Sequence, residues 1–176
     1  MSAPAIVLIG PMGAGKSSVG RRVAKALGMP FYDSDAAVVA AHGPIETIFA
    51  ERGEAAFRAL ERDAVRAGLQ RGGVVALGGG AVLDPDTQAD LAGHRVVLLT
   101  VSPRVVAGRV GGTRRPLLQG AGEGGETDAV ARWQRVFESR RALYERLADA
   151  VFDTSSGPLQ DVVDRVAEWA GGGSHE

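Results

Sequence analysis

Residues Gly10-Pro11-Met12-Gly13-Ala14-Gly15-Lys16-Ser17 carry the spacing G-x-x-x-x-G-K-[ST]. An apolar run at 5–9 precedes them and an amphipathic stretch follows at 19–27. Strand, glycine-rich loop and helix in that order form the setting a phosphate-binding loop needs. Glycines remove Cβ atoms, so backbone N–H groups can converge on an anion. The helix that starts near Gly15 aims its positive dipole end at the same point. Lys16 then reaches the β and γ phosphates, and the Ser17 hydroxyl can ligate Mg²⁺. Gly13, Ala14, Gly15, Lys16, Ser17 and Ser18 are therefore expected to surround the phosphates of a nucleoside triphosphate.

Two carboxylates follow at once. The run 30–32 leads into Asp33-Ser34-Asp35. Residues i and i+2 at a strand end diverge, so one acid can face a metal while the other faces an acceptor. Phosphoryl transfer needs both roles, a carboxylate holding Mg²⁺ through water and a base or orienter for the attacking hydroxyl. The plainer alternative is that one of them only caps the next helix. Arg58 and Glu61 lie i, i+3 on a helical stretch and share a face. Taken alone they read better as an ion pair on a solvated face.

These residues need a scaffold that gathers them. The chain has 176 residues, of which 45% are hydrophobic, enough for one α/β domain with a core. Strand-like runs at 5–9, 30–32, 74–77, 96–101 and 150–152 alternate with helical patterns at 16–28, 35–42, 45–70, 86–91, 103–110, 127–147 and 158–170. Such alternation predicts a parallel sheet between helices. Ligands of such sheets sit beyond the carboxyl ends of the strands. Residues 111–125 hold six glycines and 171–176 form a glycine-rich end without periodicity. The first is expected to be a mobile segment and the second a disordered tail after a single domain at 1–170.

Composition excludes several classes. The net charge of −1 argues against a broad nucleic-acid surface. Without cysteine there is no disulfide, thiolate zinc site or thiol nucleophile. No apolar stretch approaches membrane-spanning length and none resembles a signal peptide, so the expectation is a cytoplasmic protein, with nothing demanding more than a monomer. Guanine-specific switch proteins use N-K-x-D, and this chain has no asparagine. Motor ATPases need an acidic strand end, whereas 74–77 ends in Gly78-Gly79-Gly80 and 96–101 ends in Ser102. A non-catalytic nucleotide-binding module is disfavoured by the intact Lys16, Ser17, Asp33 and Asp35. His42, His94 and His175 fit no motif, and Trp133 reads as packing.

The set Arg58-x-x-Glu61-x-x-x-Val65, then Val74-Val75-Ala76-x-Gly78-Gly79-Gly80-x-Val82, resembles the shikimate kinase signature. The loop 10–17, the Asp33-x-Asp35 pair, Arg115-Pro116-Leu117-Leu118 and Arg141-Ala142-Leu143-Tyr144 are similar to that family too, over residues 5 to about 168. The resemblance implies a three-layer α/β/α kinase fold with a five-stranded parallel sheet in the order 2-3-1-4-5, substrate-binding helices about 33–61 and a lid at about 111–125. It implies transfer of the γ-phosphoryl of ATP to the 3-hydroxyl of shikimate with Mg²⁺. Asp35 would contact the reacting hydroxyl, and Asp33 with Ser17 would hold the metal. Arg58 and Arg141 would clamp the substrate carboxylate, in keeping with the fork geometry of guanidinium. Gly78, Gly79 and Gly80 would present backbone to the substrate, and Glu61 would order the Arg58 side. Phe49 and Phe57 would be apolar wall or plain core. Arg115 would reach the γ-phosphate, and Arg109 would lie against adenine or be only a solvated helix-end charge. A kinase of similar fold acting on gluconate is the alternative.

Overall fold

The computed structural model describes residues 3–110 and 126–172. The strands are β1 Ile6–Ile9, β2 Phe31–Asp33, β3 Val74–Ala76, β4 Arg95–Thr100 and β5 Ala150–Asp153. The helices are α1 Lys16–Leu27, α2 Ser34–His42, α3 Ile45–Arg52, α4 Glu54–Arg71, α5 Pro85–Leu91, α6 Pro103–Val110, α7 Glu126–Leu147 and α8 Leu159–Gly171. A short 3₁₀ turn, Ala81–Leu83, precedes α5.

All five strands run parallel in the order β2-β3-β1-β4-β5, as expected. The central strand β1 is Ile-Val-Leu-Ile, buried at every position. A strand covered on both faces reads as a continuous apolar run, not an alternating one. Register pairs Ile6 with Val74 on one side and Arg95 on the other. Helix α1 packs on α8, and α6 packs on α7. Local signals place the ends. Gly28 closes α1 in the left-handed conformation, its N–H returning to the Ala24 and Lys25 carbonyls. Asp84 caps α5 through the N–H groups of Asp86 and Thr87, with Pro85 opening the helix.

One expected helix is two. The stretch 45–70 breaks at Gly53, where φ is 85° and ψ is 170°. No α-helix continues through such a residue, and only glycine adopts it without strain. Phe49 on α3 therefore turns back onto Phe57 on α4, with ring centroids 4.9 Å apart. Val38, Ile48 and Phe57 form a second small core beneath these helices. Burying each such side chain contributes roughly 1.5–3 kcal/mol. That cluster holds α2, α3 and α4 together as one unit at the carboxyl end of β2. Gly171, expected to open the tail, is the last residue of α8, and Gly172 is its cap; residues 173–176 lie outside the described residues. The expected lid at 111–125, with Arg114 and Arg115, lies outside the described residues, as does His175.

Candidate active site

The carboxyl ends of β1, β2 and β3 deliver the expected residues to one edge. Lys16 is the first residue of α1, behind a left-handed Gly15 with φ 89°. Its ammonium donates to the carbonyls of Gly10 at 2.8 Å and Pro11 at 3.0 Å. The Ser17 hydroxyl donates to one oxygen of Asp33. The other Asp33 oxygen accepts the Ala36 N–H at 3.0 Å. Asp33 is thus both a helix cap and the partner of Ser17. Gly13, Gly15, Lys16, Ser17, Ser18, Asp33, Asp35 and Arg109 line one groove of about 370 Å³. Ala14 is buried beside it and its carbonyl accepts the Thr154 hydroxyl at 2.9 Å.

Arg109 is no free helix-end charge. Its guanidinium donates to the Gly13 carbonyl at 2.8 Å and to the Thr154 carbonyl at 3.1 Å. It straps the glycine-rich loop to the segment after β5.

A second, more apolar cavity of about 320 Å³ adjoins the groove. Ile45, Phe49, Phe57, Trp133 and Phe137 form its wall, with Asp35, Arg58, Glu61 and Arg140 as its charged groups. Phe49 and Phe57 are thus wall and core at once. Asp35, Met12, Val39 and Gly79 line both spaces, so the Asp35 carboxylate stands where groove and cavity meet.

Arg58 donates to Glu61 at 2.9 Å and has Glu54 at 3.5 Å. The Arg58–Glu61 pair is not on a solvated face, since Glu61 is only 4% exposed. Burial pushes the Glu61 carboxyl above its usual range, and the Arg58 guanidinium opposes that shift. The Nη2 of Arg58 is buried without a hydrogen-bond partner among the described residues. A buried donor of a charged group costs free energy unless a ligand satisfies it. The acid nearest that Nη2 is Glu54, at 3.5 Å.

The three glycines after β3 act differently from one another. A Cβ at Gly78 would stand 2.5 Å from Oδ1 of Asp35, and one at Gly80 would stand 2.5 Å from Nη1 of Arg58. These two make room for the protein's own functional side chains, not for a ligand. A Cβ at Gly79 would meet only ordinary contacts, the nearest atoms being 3.7 Å away, and Gly79 lines both spaces. The Gly78 N–H donates at 3.0 Å to the Ser34 hydroxyl, which is fully buried. Sequence reading passed over Ser34, although its place between two acids at a strand end aims it back at the neighbouring loop.

Arg141 is a correction. It is 48% exposed, pairs with Glu138 at 3.0 Å and lies over the Phe137 ring on another side of α7. It lines a separate cleft with Glu145 and Asp153. Arg140 faces the cavity, close to Gly79, Glu61 and the Tyr144 hydroxyl. One residue along a helix is a turn of about 100°, and here it sends the two neighbouring arginines to different clefts. The missed signal was periodic: Trp133, Phe137, Arg140 and Tyr144 follow i, i+4, i+7, i+11, a single helix face.

Comparison with known proteins agrees with this geometry. The family model described as "SKI: Shikimate kinase" matches residues 12–170. A shikimate kinase of Streptomyces coelicolor is 47% identical over 165 residues, covering 92% of each chain. The solved shikimate kinase from Acinetobacter baumannii in complex with shikimate superposes with a TM-score of 0.88 at 30% identity, covering 99% of this chain and 97% of that one. A gluconokinase from Sinorhizobium meliloti shares the fold more distantly, with a TM-score of 0.59 at 25% identity over 98% of both chains. A groove on the glycine-rich loop and an arginine-lined cavity meet at one aspartate, and the sequence matches over nearly its whole length: the chain belongs to the shikimate kinase family.

Proposed function

We infer that the protein transfers the γ-phosphoryl group of ATP to the 3-hydroxyl of shikimate, giving shikimate 3-phosphate and ADP. The observation that carries this reading is the position of Asp35, which lines both the groove and the cavity. The triphosphate lies along 13–18, its β and γ phosphates met by the N-terminus of α1 and by Lys16. The shikimate carboxylate takes the Nη2 of Arg58, which makes no hydrogen bond among the described residues, together with Arg140. Guanidinium matches carboxylate in a fork, and two cations offset its desolvation. Glu61 holds Arg58 from behind at 2.9 Å. The acceptor hydroxyl donates to Asp35, loses its proton there as its oxygen attacks the γ-phosphorus, and the bond to the β-phosphate oxygen breaks to release ADP.

Ser17 and Asp33 suit Mg²⁺. A hydroxyl and a carboxylate are hard oxygen donors, and they already touch each other. Among the described residues no cluster of three or more acidic, histidine or cysteine side chains forms a cage. That suits an ion that keeps waters and phosphate oxygens as ligands. When bound, it neutralises charge shared by the β and γ phosphates. Arg109 borders the nucleotide, and Arg115, outside the described residues, keeps its assignment to the γ-phosphate.

The cytoplasm and a monomeric state complete the reading. Among the described residues no helix is long and apolar enough to cross a membrane. Size-exclusion chromatography with light scattering tests the monomer. An ADP-release assay with shikimate, gluconate and AMP tests the reaction. Turnover is expected with shikimate, and shikimate turnover no greater than the intrinsic ATPase rate would overturn it.

A further inference from the structure

The peptide plane between Met12 and Gly13 is held from α7. Glycine 13 adopts φ 83°, where rotation is least hindered, so this plane has little intrinsic resistance to flipping. In a trans peptide the C=O and the next N–H point in opposite directions. Whatever holds the Met12 carbonyl therefore aims the Gly13 N–H. The holder is Trp133, whose indole N–H donates to the Met12 oxygen at 2.6 Å. Indole is a donor only, so this bond has one sense.

Trp133 is itself held. It is 2% exposed, and its ring stacks on Phe137 with centroids 5.4 Å apart at 29°. Phe137 in turn meets Tyr144 at 6.2 Å. The Tyr144 hydroxyl donates to the Gly79 carbonyl at 2.5 Å, so the far end of the same aromatic row is fixed too. Filling space needs only the ring. The N–H on a carbonyl of the glycine-rich loop is what packing does not explain.

We propose that Trp133 is a positioning residue for phosphoryl transfer: by anchoring the Met12 carbonyl to α7 it turns the Gly13 N–H toward the nucleotide groove. This deepens the kinase reading and rests on it. A ring without the donor leaves the cavity wall in place and frees the peptide plane, so the loss falls on the nucleotide side.

The test replaces Trp133 by benzothienylalanine, an isostere with sulfur in place of N–H, and separately by a ring-fluorinated tryptophan that keeps the donor. Trp133→Phe serves as the genetically simple companion. The isostere and Trp133→Phe are expected to lower kcat/KM for ATP on the order of tenfold, and the isostere, which keeps the shape of the cavity wall, to hold KM for shikimate within about twofold. The fluorinated residue is expected to match wild type. An isostere with wild-type kcat/KM for ATP, or a defect confined to the shikimate KM, overturns the inference. Wild-type turnover of shikimate in the same assay separates the two readings. An inactive wild type removes the kinase reading and this inference together, whereas an active wild type equalled by the isostere removes this inference alone.

Discussion

The groove and the cavity touch at Asp35 but are built on different plans. The groove has a local floor: Met12, Gly13 and Gly15 to Ser18, with the start of α1, line one side of it, and Asp33, Asp35, Leu77, Gly79 and Arg109 complete it. The cavity is assembled from distant pieces. Arg58 and Glu61 come from α4, Arg140 from α7, and Asp35 from α2. Phosphate is a compact, highly charged group that one turn of backbone can surround. A ring with a carboxylate on one side and a reacting hydroxyl on another has to be met from several directions. Glycines divide in the same way. Those of the loop 10–15 shape backbone, whereas Gly78 and Gly80 clear space for Asp35 and Arg58.

The sharpest way to break this comparison is at the shared residue. Asp35→Asn keeps the size of the side chain and removes its basicity. It is expected to lower kcat on the order of 10³-fold while leaving ATP affinity unchanged. Equal losses in ATP binding, read by calorimetry, would mean that Asp35 belongs to the groove alone.

Gly80→Ala comes next. The new methyl would stand 2.5 Å from the Arg58 guanidinium, which must move. KM for shikimate is expected to rise about 10- to 100-fold, close to the effect of Arg58→Ala, since each charge-assisted bond is worth roughly 1.5–3 kcal/mol. If Gly80→Ala left that KM alone, the glycine would not be serving the arginine.

A third test sets neighbours against each other. Arg140→Ala is expected to raise KM for shikimate about tenfold, and Arg141→Ala to change it less than about twofold. The reverse ranking would return the carboxylate contact to the residue first expected.

The smallest effect concerns Glu61 and pH. Its folded carboxyl sits above the usual range because of burial. At pH values between the ordinary glutamate range and that raised value, the folded state binds more protons than the unfolded one. Stability therefore falls as pH rises through this window and is regained as pH falls. Glu61→Gln should flatten that slope in urea unfolding midpoints. An unchanged slope would place the titration elsewhere.

Much of the groove was legible because its parts are adjacent in the chain. Gly10 to Ser17 name their own geometry, and Asp33 follows the next strand. The alternation of runs implied the parallel sheet, and the resemblance supplied its order. The break at Gly53 was missed because the apolar periodicity continues across it, while a φ of 85° is a property of one residue's backbone. Arg141 was named and Arg140 passed over because a motif read in sequence has no phase on the helix.

Sequence alone determined the phosphate loop, its lysine and hydroxyl, and the two acids after β2. Backbone geometry of that kind is set by residue types a few positions apart. Only the tertiary structure decided which arginine of α7 enters the cavity, why Gly78 and Gly80 have no side chain, and that Trp133 reaches Met12 across 121 residues of chain. Those facts depend on where helices land on the sheet. That is fixed by packing summed over the whole core, and no short stretch of sequence contains it.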